Sequence, residues 1–304
     1  MDRDLVAWAS LRSVRGMGPK RLAEVAHRLE QQRKGAGELL GADEAELRES
    51  GVSERHIEEA KAALSQPPHV AESVTGARIL SADDEAYPRW RLRAPLPLPV
   101  VLYVHGNIEL LSAPGVAIAG ARAAPTQALE YAAELAAHLA KQGLNVVSGH
   151  AAGIDEASHA GALMAGGTIT AVLAEGIDQL KPRATMRSAS EGSVLYVSGF
   201  APRETWTPHR AMERNTTIAA LSDAVVVVAS GLRGGSFAQG ELCLKAGKKL
   251  LVPDFPEEIA PGNSELIGRG AVPVDHRSPA EVLIALTTLE NEGSPGSRQL
   301  RLLA

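Results

Sequence analysis

The sequence predicts an α/β fold: a doubly wound, mostly parallel sheet preceded by a small all-α region. Three observations predict it. From Val116 onward, short β-rich apolar runs alternate with helical runs. The strand runs are apolar along their whole length, as strands covered by helices on both faces are. Three of them end in glycine-rich turns, the places where such folds bind ligands.

The elements follow in order. Residues 5–11, 20–31 and 44–49 read as short helices, and a fourth spans 54–64 behind Ser53 as N-cap. Gln66-Pro67-Pro68 breaks this pattern and makes a linker. Arg78-Ile79-Leu80 and Val100 to Val104 read as strands on either side of a proline-rich loop, an N-terminal extension of the sheet that follows. The main alternation then runs strand 116–120, helix 127–142, strand 145–149, helix 155–165 and strands 168–173, 194–197, 224–229 and 249–253, with a short helix at 217–221 and a last helix at 279–290. The chain is thereby expected to divide into a helical domain (1–66), a linker and sheet extension (67–110), an α/β domain (111–291) and a loose polar tail (292–304).

Composition narrows the function classes. A net charge of −5 argues against a protein that coats nucleic acid non-specifically, although a local basic cleft remains compatible with it. Aromatic residues make up only 3 %, so stacking on aromatic platforms is not expected to be a major binding mode. The single cysteine, Cys243, excludes an intramolecular disulfide and a multi-cysteine zinc site. No apolar run is long enough to span a membrane and the first residues are charged, so a cytoplasmic location, with no membrane partner, is expected.

The candidate site lies at the strand ends. Gly120-Ala121-Arg122 closes the first strand and Ser148-Gly149-His150-Ala151-Ala152-Gly153 the second. Gly231-Leu232-Arg233-Gly234-Gly235-Ser236 follows the strand ending at Ala229 and opens a helix. Small residues let backbone N–H groups approach an anion at a helix N-terminus, yet each cluster alone fits a tight βα turn equally well. Convergence of three clusters is the argument for an anion site. Arg122, at a strand end, suits phosphate through its planar donors. Arg214 and Asn215 precede the short helix at 217–221, and Arg233 fits a phosphate or a surface ion pair equally. Asp155 and His159 stand one helical turn apart; a capping carboxylate over a packed histidine fits them better than a metal or acid–base pair. Ser236 has no His–Asp partner pattern and reads as a phosphate-contacting hydroxyl. Near the N-terminus, Val14-Arg15-Gly16-Met17-Gly18-Pro19-Lys20-Arg21 resembles a helix-hairpin-helix turn, read as an interaction module rather than a strong DNA binder.

Taken in order, Val116 to Arg122, Ser148 to Asp155, His159 to Leu163, Glu213-Arg214-Asn215 with Ile218 to Ser222, Gly235-Ser236 and Pro261 to Ala271 resemble the DprA/Smf family, as does the lead-in Tyr87-Pro88 and Pro99 to Gly106. The resemblance implies a Rossmann-like domain behind a helical domain of the SAM or helix-hairpin-helix kind. It implies a protein of natural transformation that binds and shields incoming single-stranded DNA, loads the RecA recombinase and forms homodimers. No catalytic residue, cofactor or metal is implied. Arg122, Ser148, Gly149, Arg214, Asn215, Gly235 and Ser236 fall on motif positions lining the family's DNA pocket; Gly120, Lys181 and Arg233 complete the expected site. Ala152 and Thr216 stand where the family has arginine, Gly234 and Gln239 replace a serine and a threonine, Ala229 replaces a glutamate, and Lys181-Pro182 replaces Tyr-Pro. The two lost arginines should weaken phosphate binding, with Lys181, Arg183, Arg210 and Arg233 as candidates to compensate. A C-terminal winged-helix-like domain is expected to be absent, since little chain follows residue 290. The alternative is a LOG-like nucleoside-monophosphate phosphoribohydrolase, or a nucleotide-sensing relative; Gly234 to Glu241 echoes the phosphoribohydrolases' Gly-Gly-x-Gly-Thr-x-x-Glu loop only loosely.

Overall fold

A computed structural model describes residues 2–67 and 76–291. The expected tail at 292–304 and part of the expected linker lie outside the described residues. Four helices come first: α1 (Arg3–Ser13), α2 (Pro19–Gln32), α3 (Glu44–Glu49) and α4 (Ile57–Ser65). Ser53 does not cap a backbone N–H as predicted; its hydroxyl is hydrogen-bonded with His56 Nδ1 at 2.7 Å, and residues 54–56 form a 3-10 turn ahead of α4. The helices close around buried Trp8, Leu11, Leu29 and Leu47 and dock on the sheet through Trp8, whose Nε1 donates to Asp83 Oδ2 at 2.6 Å.

The strands are β1 (Arg78–Ser81), β2 (Val101–Gly106), β3 (Gly115–Gly120), β4 (Asn145–Gly149), β5 (Ile169–Val172), β6 (Val194–Ser198), β7 (Ala224–Ala229), β8 (Leu250–Pro253) and β9 (Val272–Val274). Among the described residues they form a nine-stranded sheet in the order β1-β2-β6-β5-β4-β3-β7-β8-β9. β1 and β2 pair antiparallel at one edge, extending the sheet through β6, and β3 to β9 pair parallel. The sheet is Rossmann-like and doubly wound. Between the strands run α5 (Thr126–Lys141), α6 (Ile154–Met164), α7 (Ala184–Arg187), α8 (Pro208–Ala220), α9 (Gly235–Lys245), α10 (Pro261–Gly268) and, last, α11 (Glu281–Asn291).

β3 and β7 are buried along almost their whole length and carry only Gly, Ala, Val and Ile, which explains why they read as continuous apolar runs. The chain winds outward from β3 to β6, then returns to lay β7 against the other side of β3. That reversal is a topological switch point, where neighbouring loops part and leave a crevice at the strands' carboxyl ends. The β3–β7 register shifts there, from Ala119 opposite Val227 to Gly120 opposite Ala229, and the resulting bulge turns the strand ends at the crevice.

α8 corrects the predicted helix at 217–221. It begins at Pro208, with Thr207 as N-cap accepting from Arg210 N at 3.1 Å and proline at its first position. Arg214 and Asn215 therefore sit inside the helix rather than before it. Its far end is held by Arg91, almost fully buried, whose Nη1 donates to Ala220 O at 2.6 Å, a cation on helix carbonyls that have no intrahelical donor. β9 and α10 were not predicted. α10 matters because Asn263, fully buried, donates to Val228 O at 2.8 Å and Pro253 O at 2.9 Å and accepts from Ser230 N at 3.1 Å. One side chain thus ties the ends of β7 and β8 and fixes the start of the third glycine turn. Each buried group left without a partner costs about 1–3 kcal/mol, so Asn263→Ala is expected to lower stability by about 3 kcal/mol. A drop in the urea midpoint at unchanged m-value checks it, and a loss below about 1 kcal/mol contradicts the knot.

Candidate functional site

The order β4-β3-β7 makes the three glycine-ended strands immediate neighbours, so their turns converge. They enclose a cavity of about 440 Å³ at the switch point. Seven of the ten predicted residues line it: Gly120, Arg122, Arg214, Asn215, Arg233, Gly235 and Ser236. A second cavity of about 350 Å³ adjoins it on the β5 side and shares Arg122, Ala151, Trp206 and Arg214, so the two make one continuous groove.

Arg214 forms the floor of both cavities and is only 8 % exposed. Its nearest carboxylate is Asp155, Oδ2 to Nη1 at 3.9 Å, too long for a hydrogen bond, and its Nε has no partner. Burial pulls the Arg214 pKa down, against the field of Asp155. The Asp155 carboxyl is pushed up by its own burial, while Arg214 and the Ala151 N–H, 3.3 Å from Oδ2, hold it down. A buried guanidinium with an unmade hydrogen bond is costly. Gly149 permits the arrangement, because a Cβ there would run into both the Arg214 guanidinium and the Asp155 carboxylate.

Two helices begin beside the cavity, and they differ in what they leave open. α6 follows Gly153, at φ +78°, where a Cβ would strike the backbone oxygens of Ala121 and Arg122. The first N–H of α6 is taken by Ala121 O at 3.3 Å and its first turn carries Asp155 and Glu156, whereas α9, which follows Gly234, has neither a side-chain cap nor an acid in its first turn, so its first N–H groups are left for a ligand. Asn215 is a clamp as much as a contact: its Nδ2 donates to Gly235 O at 3.1 Å, while Gln239 Nε2 donates to Asn215 O at 3.2 Å, locking α8 to the start of α9.

Three predicted residues do not line the groove. Ser148 is fully buried and donates its hydroxyl to Ile118 O at 2.6 Å, a tie between β4 and β3 beneath the floor. Gly149 lies under Arg214. Lys181 is exposed at the side, its carbonyl accepting from His150 Nε2 at 3.1 Å. Of the other candidate compensating cations, Arg233 lines the first cavity, and Arg183 lines the second but is tied to Glu156 at 2.9 Å. Arg210 pairs with Glu204 at 3.1 Å and lines a different cleft. Ala152 forms wall of the second cavity, where Glu175 also stands. Trp206 is the residue that sequence reasoning missed. It lies at the junction of both cavities with the Arg122 guanidinium 5.1 Å from its ring centroid. The signal was local: Thr207-Pro208 marks a helix start and thereby fixes the residue before it.

His159, one turn after Asp155 on α6, is fully buried. Glu241, the acid of the loosely matching phosphoribohydrolase loop, is bound to Arg269 at 2.6 Å and lies outside the cavity lining. Among the described residues, no helix is long and apolar enough to cross a membrane.

Fold and site together define a doubly wound α/β protein with an arginine-bearing, glycine-turned crevice at its topological switch point. Residues 78–286 match the sequence profile of the family described as DNA recombination-mediator protein A. The chain belongs to that family. It is 34 % identical over 194 residues to the DNA processing protein DprA of Streptococcus pneumoniae, covering 62 % of this chain and 67 % of the relative. It is 29 % identical over 292 residues to the protein Smf of Escherichia coli, covering 92 % of this chain and 74 % of the relative. The solved S. pneumoniae DprA structure superposes with a TM-score of 0.70 at 24 % identity, covering 93 % of this chain and 98 % of the other, a likeness of fold. A Helicobacter pylori DNA processing protein A, solved to describe its single-stranded DNA binding mode, superposes at a TM-score of 0.58 and 25 % identity, covering 69 % and 96 %.

The buried histidine beneath the pocket has a consequence for stability. Burial, with His150, Arg183 and Arg214 nearby, pushes the His159 pKa down to about 3. The folded protein keeps this ring neutral, whereas the unfolded chain takes up a proton below about pH 6.5. Stability from His159 is therefore fully present above about pH 6.5 and lost as pH falls toward 3, by about 1.4 kcal/mol per unit. Urea titrations at pH 7 and 5 should show a shallower loss for His159→Gln than for the parent; equal losses contradict a neutral buried ring.

Proposed function

We propose that this chain binds the phosphate backbone of single-stranded DNA in the switch-point groove, shields it, and passes it to a RecA recombinase, acting as a homodimer without covalent chemistry of its own. The observation that carries the reading is Arg214: a buried guanidinium whose residue lines a cavity that also holds Arg122, Arg233 and the uncapped start of α9, with its Nε–H buried and unpartnered. Phosphate satisfies all of these at once. Family membership supplies the DNA, and the single-stranded DNA binding mode of the structurally similar H. pylori protein supports single strands as its form.

The non-catalytic reading draws support from where the acids stand. Asp155 faces Arg214 and the Ala151 N–H, and His159 is walled off beneath it. Glu241 is held by Arg269, which leaves the nucleoside-monophosphate hydrolase alternative without its acid. Release of adenine from AMP would restore that alternative. RecA transfer and the dimer rest on the family alone and are tested by RecA filament assembly on protected single strands and by sedimentation.

Direct binding is tested by fluorescence anisotropy of oligo-dT at two salt concentrations. Each phosphate contact on a single strand adds about 0.7 to the slope of log K against log salt. Arg122→Ala is expected to weaken binding about tenfold at low salt and to reduce the slope by about 0.7. Absence of binding at low salt, or an unchanged affinity in the variant, overturns the proposal.

A further inference from the structure

We propose that the Trp206 indole is a stacking platform for one nucleobase at the junction of the two cavities, an assignment that rests on the single-strand reading above. The residue is 45 % exposed, whereas Trp8 is 1 % exposed. An indole left this open keeps much of its apolar area in water, and it does so in a groove that also holds Arg122, Arg214 and Arg233. Among the described residues, no other Trp, Tyr or Phe lines either cavity.

The platform is held still before any ligand arrives. Trp206 immediately precedes the N-cap Thr207 and Pro208, so its backbone direction is set by the start of α8. The loop leading to it is pinned by Gly176 N donating to Glu204 O at 2.8 Å and Asp178 N donating to Pro202 O at 3.0 Å. A preordered aromatic plate binds with little further loss of freedom. Arg122 lies over the ring, and a guanidinium held against an aromatic face keeps its in-plane N–H donors free for phosphate. The pair thus offers the two surfaces that one nucleotide presents: an apolar plate for the base and a planar cation for its phosphate. Because every base has a π-face, the contact is tolerant of sequence.

A thermodynamic cycle between protein and ligand tests this. Intact chain and the Trp206→Ala and Trp206→Phe variants are titrated with oligo-dT and with an abasic oligonucleotide of equal phosphate number. The intact chain should bind the abasic strand about tenfold more weakly than oligo-dT. Trp206→Ala should lose about tenfold on oligo-dT but little on the abasic strand, and Trp206→Phe should recover most of the loss. Equal loss by Trp206→Ala on both strands overturns the platform and leaves only a structural or electrostatic role. Unchanged binding together with a shift in sedimentation of Trp206→Ala also overturns it, in favour of a contact between copies of this chain. If the intact chain binds neither strand, the single-strand reading fails as well, and that outcome is distinct from the first two.

Discussion

Arg214 and Asp155 face each other across 3.9 Å in a space that exists only because position 149 carries no side chain. Both are buried, both are pulled toward neutrality by that burial, and the guanidinium keeps an unpaired Nε. A buried ion pair of this length is weak support for stability, since desolvation of two charges offsets most of their attraction. What it supplies is position. The carboxylate holds the guanidinium beside the cavity while leaving its Nε–H unpaired.

Much of the surrounding structure serves that placement. α8, which carries Arg214, is capped by Thr207 at one end and held by Arg91 at the other. Asn215 and Gln239 lock it to α9, whose uncapped first turn opens on the same cavity. Asn263 ties the ends of β7 and β8 so that the third glycine turn starts from a fixed point. The reversal of strand order between β3 and β7 then opens the crevice itself. The chain has net charge −5, yet the crevice gathers Arg122, Arg214 and Arg233 against Asp155, so the local field is opposite in sign to the whole molecule.

The strands were legible because parallel strands buried on both faces are apolar throughout, and β7 is read to the residue from Ala224 to Ala229. Arg122 and the glycine turns were legible because strand ends of such sheets face the crevice. Depth was not. Ser148 reads as a pocket hydroxyl but is spent on Ile118 O, because one-dimensional order does not say whether the last residues of a strand lie at the rim or below it. The start of α8 was missed because Thr207-Pro208 was not read as a cap and first-turn proline, and Trp206 was lost with it. An aromatic content of 3 % argues against extended stacking, but an average over the chain is blind to one indole held where two cavities meet.

The central claim is that the Arg214 guanidinium is where the phosphate backbone is held. Arginine-labelled protein gives a distinct amide-like signal from each Nε–H, and Arg214→Lys assigns the one in question. On titration with oligo-dT to saturation, the Arg214 Nε–H resonance is expected to shift as the guanidinium takes up the phosphate. A saturating titration that leaves this resonance unmoved would contradict the account.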